Sequence, residues 1–473
     1  MNQRYIYTLI LMLLLGLVLV GGQKSDESEP KAIETATSVS TDVPPTPVAT
    51  PTSMPTPTGT PTPTSTPTPT ARAQDEVQAQ VVQSETQRET VPTVQAAELA
   101  ELTYRNSMFA LDLYQELRGK EGNLFYSPYS ISLALAMTYA GARGDTEQQM
   151  AETLHFTLSQ ERLHAAFNAL DLALTAQAGQ DFQLNIANSL WGQSDYVFLD
   201  EFLDTLAQNY GAGLSLLDFI NEPELSRQTI NQWVSQQTEE KIKDLIPAGG
   251  ITPATRLVLA NAIYFDARWA QPFDRGHTHD GAFYTLDGGE ATVPMMSMYK
   301  PPTLAYAQGQ GYQAIELPYE GGQAAMLIIV PDQGQFEAFE AGLDAEQLKS
   351  IVETLQIQQI KLTMPKFSYA SNVSLAPTLS AMGMPDAFST GADFSGMTGD
   401  HSLFISNIFH KAFVAVGEIE TEAAAATGII LERVSGVTYI LDLELIVDRP
   451  FIFMIRDVKS GLLLFVGRVV NPR

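Results

Sequence analysis

The sequence predicts an α+β domain behind a long polar N-terminal segment. Leucine, alanine and aromatic residues recur at helical spacing from Ala97 onward, and apolar, β-branched runs dominate after Thr255. The two kinds of segment are grouped, with no run of repeated βα units, which argues against a doubly wound parallel sheet. The first helix is AAELAELTYRNSMFALDLYQEL, stopped near Gly119. Further helices are predicted at 130–141, 145–154, 159–175, 199–209 and 224–245, the last carrying INQWVSQQTEEKIKDLI. Strands follow at RLVLANAIYF, AAMLIIVPD, IQQIKLTMPKFSY, LFISNIFHKAFVAV, LDLELIV, FIFMIRD and LLLFVGRVV. The ordered domain is therefore expected over 97–473.

Composition narrows the function. Of the 473 residues, 45% are hydrophobic, enough for a sizeable core. The chain carries 54 Asp plus Glu against 27 Lys plus Arg, a net charge of -27. That excess argues against nucleic acid as a partner, since phosphate binding needs clustered Lys and Arg. Acidic surfaces favour basic partners instead. The absence of cysteine excludes disulfides, thiolate zinc sites, iron–sulfur clusters and a cysteine nucleophile.

Residues 6–22, IYTLILMLLLGLVLVGG behind Arg4, read as an export signal cleaved after Gly22. The run is also close to the roughly 20 residues of a spanning helix, so an uncleaved membrane tether stays open. With no cysteine after it, lipid acylation at that point is excluded. Residues 41–70 are almost entirely Thr and Pro, a composition that favours an extended spacer of about 3.1 Å per residue, or roughly 90 Å. Residues 71–95 are polar and continue that pattern, so 23–96 are expected to form a disordered stalk. An exported, extracellular or cell-surface protein follows from these features.

Enzyme motifs are sparse. No G-x-S-x-G, phosphate-loop or dinucleotide glycine pattern occurs. His277 and His279 flank a single residue without an evident third ligand, so no metal site is assigned, and no cofactor is called for. Arg143-Gly144-Asp145 reads as a turn between helices. Ser297-Met-Tyr-Lys300 fits the S-x-x-K pattern of serine acylases, with Lys459-Ser460-Gly461 as a later element. There the serine and lysine must lie one helical turn apart. Here Pro301 and Pro302 bar a helix and VPMMSM reads as strand.

The most informative stretch begins after LFISNIFHKAFVAV. ETEAAAAT could be a surface helix, alanine being the best helix former. Laid out as a strand, Thr421, Ala423, Ala425 and Thr427 share one face, and Glu422, Ala424, Ala426 and Gly428 the other. One face is thus small and uncharged, and could slide between two existing strands, where a charge would cost several kcal/mol.

This hinge resembles that of the serpins, large metastable protease inhibitors. NLFYSPYSISLALAMTYAGARGDTEQQM, INQWVSQQTEEKIKDLI, LVLANAIYFDARWAQPF, VPMM, ELPYEGGQAAMLIIVPD, LTMPKFS, ISNIFHKAFVAV, DRPFIFMIRD and LLLFVGRVVNP follow in the family's order over about 97–473. The resemblance implies helices around a large central β-sheet, two further sheets and an exposed reactive-centre loop. It also implies an exported bacterial member that is no enzyme and acts as a monomer on serine proteases, elastase-like or trypsin-like.

Residue by residue, Ser127, Pro128, Ser130, Asn261 and His410 match the shutter, where the central strands part, and Trp269 matches the breach above it. A mutually satisfied polar cluster would look the same. Glu418, Glu420, Thr421, Glu422, Ala423, Ala424, Ala425, Ala426 and Thr427 match the hinge. The family's spacing places the scissile bond between Val434 and Ser435, with Arg433–Val434 as the alternative. Glu420 departs from the pattern, since inhibitory serpins usually carry glycine there, and the change removes backbone freedom.

Overall fold

The computed structural model describes residues 79–177, 182–298, 300–421 and 443–473. In chain order the strands are β1 (Gln80–Val82), β2 (Leu124–Tyr126), β3 (Phe182–Gln193), β4 (Leu214–Leu217), β5 (Leu257–Arg268), β6 (His279–Tyr284), β7 (Glu290–Ser297), β8 (Thr303–Gly309) and β9 (Tyr312–Pro318). Then come β10 (Ala324–Pro331), β11 (Gln356–Gln359), β12 (Lys361–Pro365), β13 (Phe367–Ser374), β14 (Ile405–Val416), β15 (Glu420–Thr421), β16 (Glu444–Ile446), β17 (Phe451–Asp457) and β18 (Leu463–Val469). The helices are α1 (Ala96–Leu117), α2 (Pro128–Tyr139), α3 (Gly144–Thr153), α4 (Gln160–Gln177), α5 (Asp200–Tyr210), α6 (Pro223–Gln237), α7 (Phe336–Gly342), α8 (Ala345–Thr354), α9 (Ala376–Met382) and α10 (Ser395–Thr398).

They build three sheets. The first runs β1-β4-β3-β5-β14-β13, with β15 joined to β5; the second runs β11-β8-β9-β10-β17-β18-β2, and the third β16-β12-β7-β6. The first and second sheets hold seven strands each, so the central sheet is distinguished by its length instead: β3, β5 and β14 each have 12 residues.

The run LVLANAIYF is apolar at every position but Asn261 because β5 is buried on both faces. Leu257, Leu259, Ile263, Phe265 and Ala267 enter the main core. Val258, Ala260, Ala262 and Tyr264 enter a second core beneath Ile230 and Val234 of α6. Every residue of α2 is buried, which is why this helix reads as apolar all round.

Several expectations need correction. The stalk was expected to run to residue 96, yet β1 pairs antiparallel with β4 at the edge of the first sheet. Ser84 and Thr86 hydroxyls donate to Asp204, and Arg88 donates to Asn168 (2.9 Å) and Asp171 (2.6 Å). A polar segment needs no apolar surface of its own where an exposed sheet edge supplies backbone partners.

The helix expected over 224–245 stops at Gln237. Glu239, Glu240 and Asp244 have φ of 49, 62 and 51°, and Ile242, Leu245 and Ile246 are buried by a loop laid over the sheet. IQQIKLTMPKFSY is divided into parts of β11, β12 and β13 rather than forming one strand. Strands β2, β3, β4, β6, β8 and β9 and helices α7 to α10 were not anticipated, and helices and strands are less segregated than the pattern implied.

Candidate functional site

The candidate site is the seam between β5 and β14. These strands pair in parallel from Leu257 with Ile405 to Tyr264 with Phe413. Above that point they part. There Glu420 and Thr421, the two residues of β15, pair antiparallel with Arg268 and Ala267 at the upper end of β5.

At the lower part of the seam, Ser127 caps α2, its hydroxyl accepting from the Ser130 amide (3.1 Å), and Pro128 sits in the first turn. Pro is suited to that position because its missing N–H needs no helical partner. The Ser127 amide donates to His410 Nε2 (3.2 Å), which leaves the proton on Nδ1, facing Asn261 Oδ1. Asn261 Nδ2 donates to Ser130 O (2.7 Å), Ser130 Oγ (2.9 Å) and Asn188 Oδ1 (2.5 Å). His410 and Asn261 are direct neighbours across the seam. Burial lowers the His410 imidazole from 6.5 to about 3, so it is neutral here. The structure brings Ser127, Pro128, Ser130, Asn261 and His410 together, and adds Asn188 from β3. Only the pairing of β3 with β5 places that asparagine here, and no sequence spacing shows it.

At the top of the seam, Trp269 Nε1 donates to Gly417 O (2.9 Å) and its amide to Ile419 O (2.9 Å). Its ring stacks on Tyr319, centroids 4.6 Å apart. The Phe273 amide donates to Glu418 O (2.7 Å). The Glu418 carboxylate accepts from Lys366 Nζ (2.8 Å) and Thr278 Oγ1 (2.9 Å). Burial pushes this carboxyl up, but the bonds from Lys366 and Thr278 reverse that and hold it below its ordinary value. Thr421, 1% exposed, shares a hydroxyl contact of 2.9 Å with Tyr319. Lys366, Thr278 and Tyr319 were not singled out from the sequence, though Lys366 and Tyr319 lie in the quoted motifs LTMPKFS and ELPYEGG.

Glu422, Ala423, Ala424, Ala425, Ala426, Thr427, Arg433, Val434 and Ser435 lie outside the described residues. So do residues 1–78, which hold the export signal and the Thr/Pro segment. Ser297 ends β7, its hydroxyl 2.7 Å from Thr363 Oγ1 across the third sheet, rather than opening a helix as an S-x-x-K serine does. His277 Nδ1 meets Asp274 (2.9 Å), and among the described residues no group of three or more His, Asp or Glu side chains could hold a metal.

Known proteins share both sequence and architecture with this chain. The leukocyte elastase inhibitor of Bos taurus is 39% identical over 383 residues, covering 79% of this chain and all of its own length (100%). Native tengpin, a thermophilic serpin, superposes with a TM-score of 0.74 at 26% identity, over 84% of this chain and 100% of its own. Human thyroxine-binding globulin, solved as a complex with thyroxine, gives a TM-score of 0.72 at 33% identity, over 79% of this chain and 99% of its own. A family model described as serpin (serine protease inhibitor) matches residues 104–472. With three sheets in this arrangement and a match of that extent, the chain belongs to the serpin family.

Proposed function

We propose that this serpin inhibits serine proteases as a suicide substrate. The protease attacks the loop after Thr421, forms an acyl-enzyme, and is carried along as the hinge enters the β5/β14 seam. The pairing of Glu420 and Thr421 with β5 carries this reading, because it offers an entry point beside the seam and a register that the residues after it could follow. Each step forward along the hinge is one step back along β5. Thr421 opposite Ala267 therefore leads to Thr427 opposite Asn261 and Leu431 opposite Leu257, the first residue of β5.

In that register Thr421, Ala423, Ala425 and Thr427 share the main-core face, where small uncharged side chains enter without a desolvation penalty. Insertion must separate His410 from Asn261, and Thr427 arrives there with a hydroxyl. The inhibitor supplies no catalytic group. Its success depends on inserting before deacylation, and typical turnover is about 10 per second.

We assign the scissile bond to Val434–Ser435, a small apolar residue that suits an elastase-like protease, with Arg433–Val434 as the trypsin-like alternative. The bovine elastase inhibitor supports the first. Export and display on the Thr/Pro spacer complete the proposal. A second, non-inhibitory reading as a binding or storage protein draws on the likeness to thyroxine-binding globulin and on Glu420 at the hinge.

Incubating the chain with elastase-like and trypsin-like proteases separates the readings on denaturing gels. A stable covalent complex supports inhibition, and the first residue of the released C-terminal peptide, Ser435 or Val434, identifies the bond. Cleaved loop with free protease in every case would overturn it. Fractionation of the source cells tests export.

A further inference from the structure

Tyr319 is fully buried, yet its hydroxyl is 2.9 Å from that of Thr421, itself 1% exposed. Its ring is held between Trp269, stacked at 4.6 Å, and the edge of Phe265 at 5.1 Å. Its backbone is fixed as well. It forms a bridge with Trp269 and donates to Ala324 O (3.0 Å), while the next amide, Glu320, donates to Arg268 O (2.8 Å). The phenol oxygen therefore stands at one place relative to the end of β5, which is where the hinge begins to pair.

We propose that Tyr319 is a positioning residue for strand insertion, holding Thr421 on the first rung so that the hinge enters the seam already in register. The inference rests on the inhibitory reading and adds a determinant of its speed. The first rung is common to the waiting and inserted states, because the register that pairs Thr421 with Ala267 needs no change as later residues follow. The contact thus contributes little to the driving force between those states. It acts on the start, by sparing the chain the search for a register that would otherwise precede each attempt.

Hydroxyl complementarity makes the role testable. Removing one partner leaves the other hydroxyl buried and unpaired, whereas removing both in matched shape is nearly neutral. Tyr319→Phe and Thr421→Val should each release the hinge, and Tyr319→Phe/Thr421→Val should reseat it.

Two readouts on the full chain decide the matter. Amide exchange across Glu420–Thr421, measured without protease, should be about tenfold faster in each single variant and return towards wild type in the double variant. Trapping of an elastase-like protease should slow by about tenfold in each single variant, with more cleaved inhibitor released, and recover in the double. Wild-type exchange in Tyr319→Phe, or a double variant as fast as the singles, would overturn the proposal, since a packing role alone is not rescued by Thr421→Val. If the wild-type chain traps no protease, the inhibitory reading falls, while the exchange data still decide whether Tyr319 seats the hinge.

Discussion

Acidification should loosen the β5/β14 seam through His410. In the folded chain Nε2 accepts from the Ser127 amide, so an added proton would meet a donor, and burial holds the imidazole at about 3 against an ordinary 6.5. The native state therefore binds fewer protons than an opened or unfolded one between those values. The stabilisation is complete above about pH 6.5 and is lost as pH falls towards about 3, at about 1.4 kcal/mol per pH unit. Because the exposed imidazole is half-protonated at 6.5, going from pH 7.5 to 5.5 removes about 1.4 kcal/mol in all. His164, buried and lowered to about 4, adds a second increment of similar size at the α4–α5 contact. Urea unfolding midpoints at both pH values, for wild type, His410→Gln and His164→Gln, separate the two. Each substitution should shrink the pH-dependent loss by about 1.4 kcal/mol. If His410→Gln loses as much stability as wild type over this range, His410 is not the titrating group and the assignment of its neutral tautomer is wrong.

Glu418→Gln keeps the shape of the hinge carboxylate but removes its charge opposite Lys366. It should cost about 1 kcal/mol at neutral pH, a modest figure because the lysine side chain is 35% exposed and partly screened. Since the carboxyl is held below its ordinary 4.5, that cost should be present above this value and disappear as pH falls through the native titration, which urea midpoints across acidic pH would show. Arg88→Ala should cost about 2 kcal/mol by removing charge-assisted bonds to Asn168 and Asp171 in a half-buried site. Amide exchange should then accelerate along β1 and its partner β4.

Much of this architecture was legible because burial on both faces writes long apolar runs. The β5 segment and FIFMIRD, which matches β17 residue for residue, are strands of that kind. The end of α6 was misplaced because Ile242, Leu245 and Ile246 continue a helical spacing while the backbone has already turned through Glu239 and Glu240, and side-chain burial records position rather than backbone conformation. The β1 segment was missed for the opposite reason, since its partners are backbone groups of β4 and polar side chains more than 80 residues away. At the seam, Ser127, Ser130, Asn261, His410 and Trp269 were picked out by resemblance to a family. Asn188, Lys366 and Tyr319 belong with them only through the pairing of distant strands, which no local pattern encodes.

Strand direction gives the seam a further meaning. β3 and β4 are parallel, as consecutive strands joined by the α5 crossover can be, but β5 and β14 are parallel neighbours separated by most of the second half of the chain. Glu420 and Thr421 run antiparallel to β5. A strand continuing from them would be antiparallel to both neighbours, exchanging one slanted ladder for two perpendicular ones. Its driving force would reside in a ladder not yet made, a matter of the direction in which two strands point rather than of bent bonds or crowded side chains.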